Sequence, residues 1–238
     1  MCKTYLEEQR QKLLQVYWLW EQTLCPLLRT KAFSYPYYLN IPDHWYESTY
    51  RILIVGEEGR GKKQYDLPIE KVQEWIQGYL SAQLNGEDRT KRYKKNGSRF
   101  WRRVQEIDRL FEGISHSIVW TNLDKIHHSG TQKCTLSKRE RERLHNISIL
   151  SKEIEILNPT HVIYFGWYGY SLQQELPDVC NKLYPKGLSD HSEWKTEKMA
   201  KYVVDGRHHI FTYHPNWRRR PKDYEEKFLN LLRQTITD

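Results

Sequence analysis

Four short runs of β-branched and aromatic residues punctuate this chain: "RILIV" (51–55), "SIVWT" (117–121), "HVIYF" (161–165) and "HIFTY" (209–213). Each is too short for a buried helix and is bounded by Gly, Pro, Asn or Asp, so each reads as a core strand. The stretches between them carry apolar residues at helical spacing. Val72, Trp75, Ile76, Tyr79 and Leu80 form one such stripe; Phe100, Trp101, Val104, Ile107 and Phe111 form a second; Leu144, Ile147, Leu150, Ile154 and Leu157 form a third. Strands alternating with helices predict a three-layer α/β sandwich around a central, mainly parallel, four-stranded sheet.

Local signals place the ends of these elements. Ser98 is a helix N-cap, and Ser137 with Glu140 makes a capping-box pattern for a helix that ends at Asn158-Pro159. Asp205-Gly206 separates two β-rich runs and predicts a hairpin whose second arm is the fourth core strand. Pro221 opens a last helix carrying Tyr224, Phe228, Leu231 and Leu232. At the start, Leu6, Leu13, Val16, Tyr17, Trp20 and Leu24 predict an amphipathic helix stopped near Pro26, followed by a Pro- and Tyr-rich connector. The chain of 238 residues therefore divides into an extension, 1–49, and an α/β domain, 50–238.

Only 38% of residues are apolar, but nine Trp and seventeen Tyr supply the area a core needs. The net charge is +8, and the basic residues cluster beside aromatics in "KRYKKNGSRFWRR" (91–103) and "HPNWRRRPK" (214–222). Cations neutralise phosphates and aromatic faces stack on bases, so the mixture points to nucleic acid, with DNA as the expected partner. The candidate contacts are Lys62, Lys63, Lys94, Lys95, Arg99, Arg102, Asn216, Trp217, Arg218, Arg219 and Arg220. Cys2, Cys25, Cys134 and Cys180 lack C-x-x-C spacing, and the pairs His127-His128 and His208-His209 lack a carboxylate at ligand spacing. No metal or other cofactor is expected. Neither a signal core nor a bilayer-length apolar run is present, so the expectation is a cytoplasmic monomer with no membrane partner.

The segment "RILIVGEEGRGKK" approaches a phosphate loop, from Gly56 to Gly61 and Lys62. Three features argue against it. Lys63 stands where a magnesium-binding hydroxyl belongs, Glu57 and Glu58 would repel a triphosphate, and Pro68 delays the following helix. In open α/β sheets, ligands bind beyond the carboxyl ends of the strands. Here those ends present Gly56-Glu57-Glu58, Asn122, Gly166 and His214-Pro215-Asn216 to one rim.

In that order the motifs "ILIVGEEGRG", "IVWTNLDK", "HVIYFG" and "FTYHPNW" resemble the uracil-DNA glycosylase superfamily. "SRFWRRVQEI" is similar to that family's Phe-Trp helix start, and "EILNPTHVIYFG" to its Pro-then-strand segment. The likeness spans about residues 50–235. Gly59 and Arg60 replace the proline and tyrosine of the first motif, and Asn216 replaces the serine of the last. The resemblance implies a hydrolase that flips a modified or damaged base and cleaves its N-glycosidic bond. Glu57 or Glu58 would stabilise the sugar cation, and His214 would donate a hydrogen bond to the departing base. Gly56, Asn122 and Tyr65 would hold the base. Register with the family leaves Glu57 and Glu58 as alternatives, and a protein that binds nucleic acid or a nucleotide-like ligand without cleaving it is the other reading.

Overall fold

The sheet is organised around the strand that contains the glycine-rich motif. In a computed structural model, β1 (Tyr50–Glu58) pairs in parallel with β2 (His116–Asp124) on one side and β3 (His161–Phe165) on the other. β3 pairs in parallel with β5 (Arg207–Thr212), and β4 (Met199–Val204) closes the edge antiparallel to β5. The order is therefore β2-β1-β3-β5-β4. The structure describes residues 3–28, 33–34, 36–58, 67–84, 98–128, 136–166, 169–184, 199–216 and 221–237. For residues 25–28, 57, 58, 169, 170 and 237 only the backbone is described.

Five strands replace the expected four. The added one is the first arm of the hairpin, Met199–Val204, which the sequence reading did not count as a core strand. It needs only one partner, and its residues are half-buried or exposed, as suits an edge. Asp205 and Gly206 both take positive φ (50° and 71°), the left-handed geometry of the tight hairpin turn that a right-twisted pair favours.

Helices cover both faces. On one face lie α2 (Ile69–Leu84), α3 (Arg99–Leu110) and α8 (Tyr224–Thr237). On the other lie α1 (Lys3–Leu28) and α5 (Ile149–Leu157), with α4 (Lys138–Leu144) preceding α5 and α6 (Gly169–Glu175) packed beside it. The short α7 (Pro177–Leu183) packs toward β4. Strand alternation sends Trp120 to Trp101 of α3, whereas Thr121 hydrogen-bonds Glu153 of α5. The described residues before β1 share the same core. Leu13, Tyr17, Trp20 and Leu24 of α1 are almost fully buried, and the indoles of Trp20 and Trp45 donate to the carbonyls of Leu144 and Leu157.

Ser98 caps α3 by accepting from Trp101 N, and both halves of the Ser137–Glu140 capping box form. The helix that follows is not continuous to Asn158. After α4 a single 3₁₀ turn (His145–Ile147) leads to Ser148 at φ 50°, and α5 starts afresh. Its free N–H groups at Leu150 and Ser151 donate to the carboxylate of Glu175, which comes from α6. A distant acid, not a local cap, sets this helix start.

Candidate functional site at the carboxyl rim of the sheet

Because β2, β1, β3 and β5 are parallel, their carboxyl ends share one rim. Two of those ends differ from the sequence expectation. β1 continues as a strand through Glu58, and β2 through Asp124, so Gly56 and Asn122 are paired ladder residues and do not lie in loops beyond the strands. Gly56 lies opposite Asn122 and Glu58 opposite Asp124. The ladder persists because both segments have a parallel neighbour to bond with, which apolar content alone does not reveal.

The Asn122 side chain lies over Gly56. A Cβ at position 56 would fall inside van der Waals distance of Asn122 Oδ1 and 3.3 Å from Trp120 Nε1. Glycine is therefore the residue that lets the amide settle against the strand. Asn122 is 1% exposed, yet among the described residues its Nδ2 has no hydrogen-bond partner, and neither has the neighbouring Trp120 Nε1. A buried donor without a partner costs free energy, so two such donors over one glycine suit a ligand that accepts from them.

Phe100 of α3 links Trp120, beside this amide, to the far side of the rim. Its ring lies 6.0 Å from Trp120, 5.3 Å from Phe165 at the end of β3, and 6.1 Å from His214, with the last pair near parallel at 28°. The sequence placed Phe100 in a packing stripe and in the Phe-Trp helix start of "SRFWRRVQEI", but gave it no role in the site. His214 Nδ1 accepts from Asn216 N at 3.2 Å. In the neutral ring this leaves the hydrogen on Nε2, the tautomer suited to donating outward. Behind His214 a small cleft is lined by Phe165, Thr212, Tyr213, Tyr224 and Arg103. Tyr224 holds its wall, with its hydroxyl paired to Thr212 Oγ1 at 2.6 Å and accepting from Tyr213 N at 2.9 Å. The buried Arg103 guanidinium is paired with Glu106 and Glu225 and sits over the Phe228 ring.

Beneath the rim run two charged networks that the sequence did not signal. Lys125 Nζ binds both oxygens of Glu153, at 2.7 and 2.6 Å, and also Thr121, while Tyr17 donates to Glu153 at 2.6 Å. Burial disfavours the charge on both partners, lowering the Lys125 pKa and raising that of Glu153, although each opposes the other's shift. Next to it His145 bridges Asp124 (3.1 Å) and Glu175 (2.6 Å), and Arg141 also pairs with Asp124. Burial pulls the His145 pKa down, but the two carboxylates outweigh it and push it up to about 9.

The remaining sequence candidates divide plainly. Arg99 and Arg102 are exposed at the start of α3, on the rim side, and Asn216 is exposed beside His214. The backbone of Glu57 and Glu58 is in β1. Lys62, Lys63, Tyr65, Lys94, Lys95, Trp217, Arg218, Arg219 and Arg220 lie outside the described residues. The histidine pairs are taken up separately: His127 bonds Ser34, His128 bonds Glu140, His209 bonds Tyr164, and His208 stacks on His161. Among the described residues no helix is long and apolar enough to cross a membrane.

No protein-family model and no curated protein sequence matches this chain.

Proposed function

We propose that this chain is a DNA glycosylase-like hydrolase that works on a flipped, modified or damaged base at the carboxyl rim of its sheet. The observation that carries the reading is the buried Asn122 amide, set against Gly56 beside Trp120 with its donor unpaired among the described residues, while Phe100 joins Trp120 to His214.

Hydrolysis breaks the bond between the sugar C1′ and the base nitrogen, leaving positive charge on the sugar and the electron pair on the base. A carboxylate, Glu57 or Glu58, stabilises that charge and orients the water that adds to C1′. The Nε2 hydrogen of His214 meets the negative charge developing on a base oxygen, and it is most effective where water is excluded. Asn122 has both a donor and an acceptor, so it reads a base edge at two points. The net charge of +8 supplies the attraction that offsets unstacking, a cost of a few kcal/mol.

The decisive experiment incubates the purified protein with single- and double-stranded oligonucleotides carrying a panel of modified bases, then treats them with hot alkali. Strand breaks at one class of modified base are expected. Tight binding with no breaks across the panel would replace this reading with that of a non-catalytic nucleic-acid-binding protein.

A further inference from the structure

Trp75 belongs to the apolar stripe of α2, yet it is 56% exposed. Its ring does not project alone. It lies 5.8 Å from Tyr79 and only 16° from parallel to it. Tyr79 is itself fixed, since its hydroxyl accepts from Trp101 Nε1 at 3.1 Å, its ring meets Trp101 edge-on, and it lies tilted against Trp120 at 6.3 Å. An aromatic series thus runs from the buried rim outward and ends on an open indole face.

The position of that face follows from helix direction. Tyr79 pairs with Trp101, and Gln105 donates to Gln83 O, so α2 and α3 run side by side in the same sense. Trp75 is about one turn before Tyr79, toward the end where α3 begins. Phe100, in the first turn of α3, touches His214, so this end is the rim end. The same first turn carries Arg99 and Arg102, both exposed, with no acid in that turn and no ion pair to either among the described residues. Cations are disfavoured at a helix N-terminus, where the peptide dipoles already point their positive ends. Glu74, the acid beside Trp75, is matched by Lys71 at 2.8 Å.

An exposed, braced indole at the same end as two guanidiniums that make no ion pair among the described residues is complementary to a base next to its phosphates. We propose that Trp75 is a stacking shelf for an unpaired base of a single-stranded nucleic acid, with Arg99 and Arg102 holding the adjoining phosphates. This rests on the nucleic-acid reading above and extends it to a face outside the rim. Stacking on an aromatic shelf tolerates any base, so the site grips a strand without reading its sequence.

The test is fluorescence anisotropy of the full chain with two labelled single strands of roughly ten nucleotides. One is oligothymidylate; the other has the same length and charge but abasic sugars. Trp75→Ala should weaken oligothymidylate binding about 5- to 100-fold and leave abasic-strand binding and the salt slope unchanged. Trp75→Phe should retain most of the affinity. Arg99→Ala with Arg102→Ala should weaken both strands and flatten the single-strand salt slope by about 1.4. The shelf is overturned if Trp75→Ala binds oligothymidylate like the parent, or loses equally on both strands. Failure of the parent to bind either single strand would overturn the shelf, and failure to bind a duplex as well would overturn the nucleic-acid reading itself. Circular dichroism of each variant separates lost contacts from lost folding.

Discussion

Asn122 and Gly56 face each other across the β1–β2 ladder, and the amide occupies the space a Cβ at position 56 would need. Gly56→Ala should therefore displace a side chain that is 1% exposed and has little room to move. The expected cost is about 1–3 kcal/mol, read by denaturant unfolding. Asn122→Leu should cost under about 1 kcal/mol, because the amide donor has no partner to lose among the described residues. Asn122→Ala added to Gly56→Ala should recover part of the loss. Additive effects in that pair would remove the steric account.

Lys125 and Glu153 are 3% and 0% exposed, so neither charge has water to fall back on. Lys125→Met leaves the carboxylate facing only Tyr17 and Thr121. It should destabilise by about 3–5 kcal/mol. The double change Lys125→Met with Glu153→Leu should be much closer to the parent, since no buried charge then remains. Equal losses in the single and double variants would contradict this.

Stability should peak near pH 6.5. His145 has a folded pKa of about 9 despite its burial, because Asp124 and Glu175 favour its charged form. That contribution is fully present below about pH 6.5 and disappears as pH rises through 9, a loss of up to about 3 kcal/mol. His161 and His209 have the opposite sign. Burial lowers both to about 4, with the neighbouring His208 adding to each and Arg207 adding to His209. Their contribution is present above about pH 6.5 and is lost as pH falls through 4. Unfolding curves from pH 4 to 9 should trace a dome. His145→Gln should flatten its alkaline limb and His209→Gln should flatten part of its acid limb. A monotonic profile would refute the assignment.

If the oligonucleotide panel reveals cleavage, replacing the operative glutamate by glutamine should slow it about 10²- to 10⁴-fold and leave binding nearly intact. His214→Gln should reduce the single-turnover rate more than the affinity, since its hydrogen bond strengthens as the base departs. Full activity in both Glu57→Gln and Glu58→Gln would remove carboxylate catalysis from the proposal.

Local chemistry in the sequence determined where elements begin and turn. Ser98, the Ser137–Glu140 box and Asp205-Gly206 act within a few residues of themselves, so their signals survive without tertiary context. The four apolar runs were legible for a related reason: a buried parallel strand is apolar on both faces. Everything that depended on a distant partner waited for the fold. β4 became a strand because β5 offered it an edge, and β1 and β2 extended to Glu58 and Asp124 because each had the other to bond. α5 starts at Ile149 because Glu175 arrives from α6 to accept its N–H groups. The same holds for the candidate site. Sequence order brought Gly56, Asn122 and His214 to one rim, but packing across the sheet buried the Asn122 amide with its donor unpaired among the described residues, set Phe100 between Trp120 and His214, and left Trp75 in the open. Burial and pairing energies belong to contacts between residues far apart in the chain, and no local pattern encodes them.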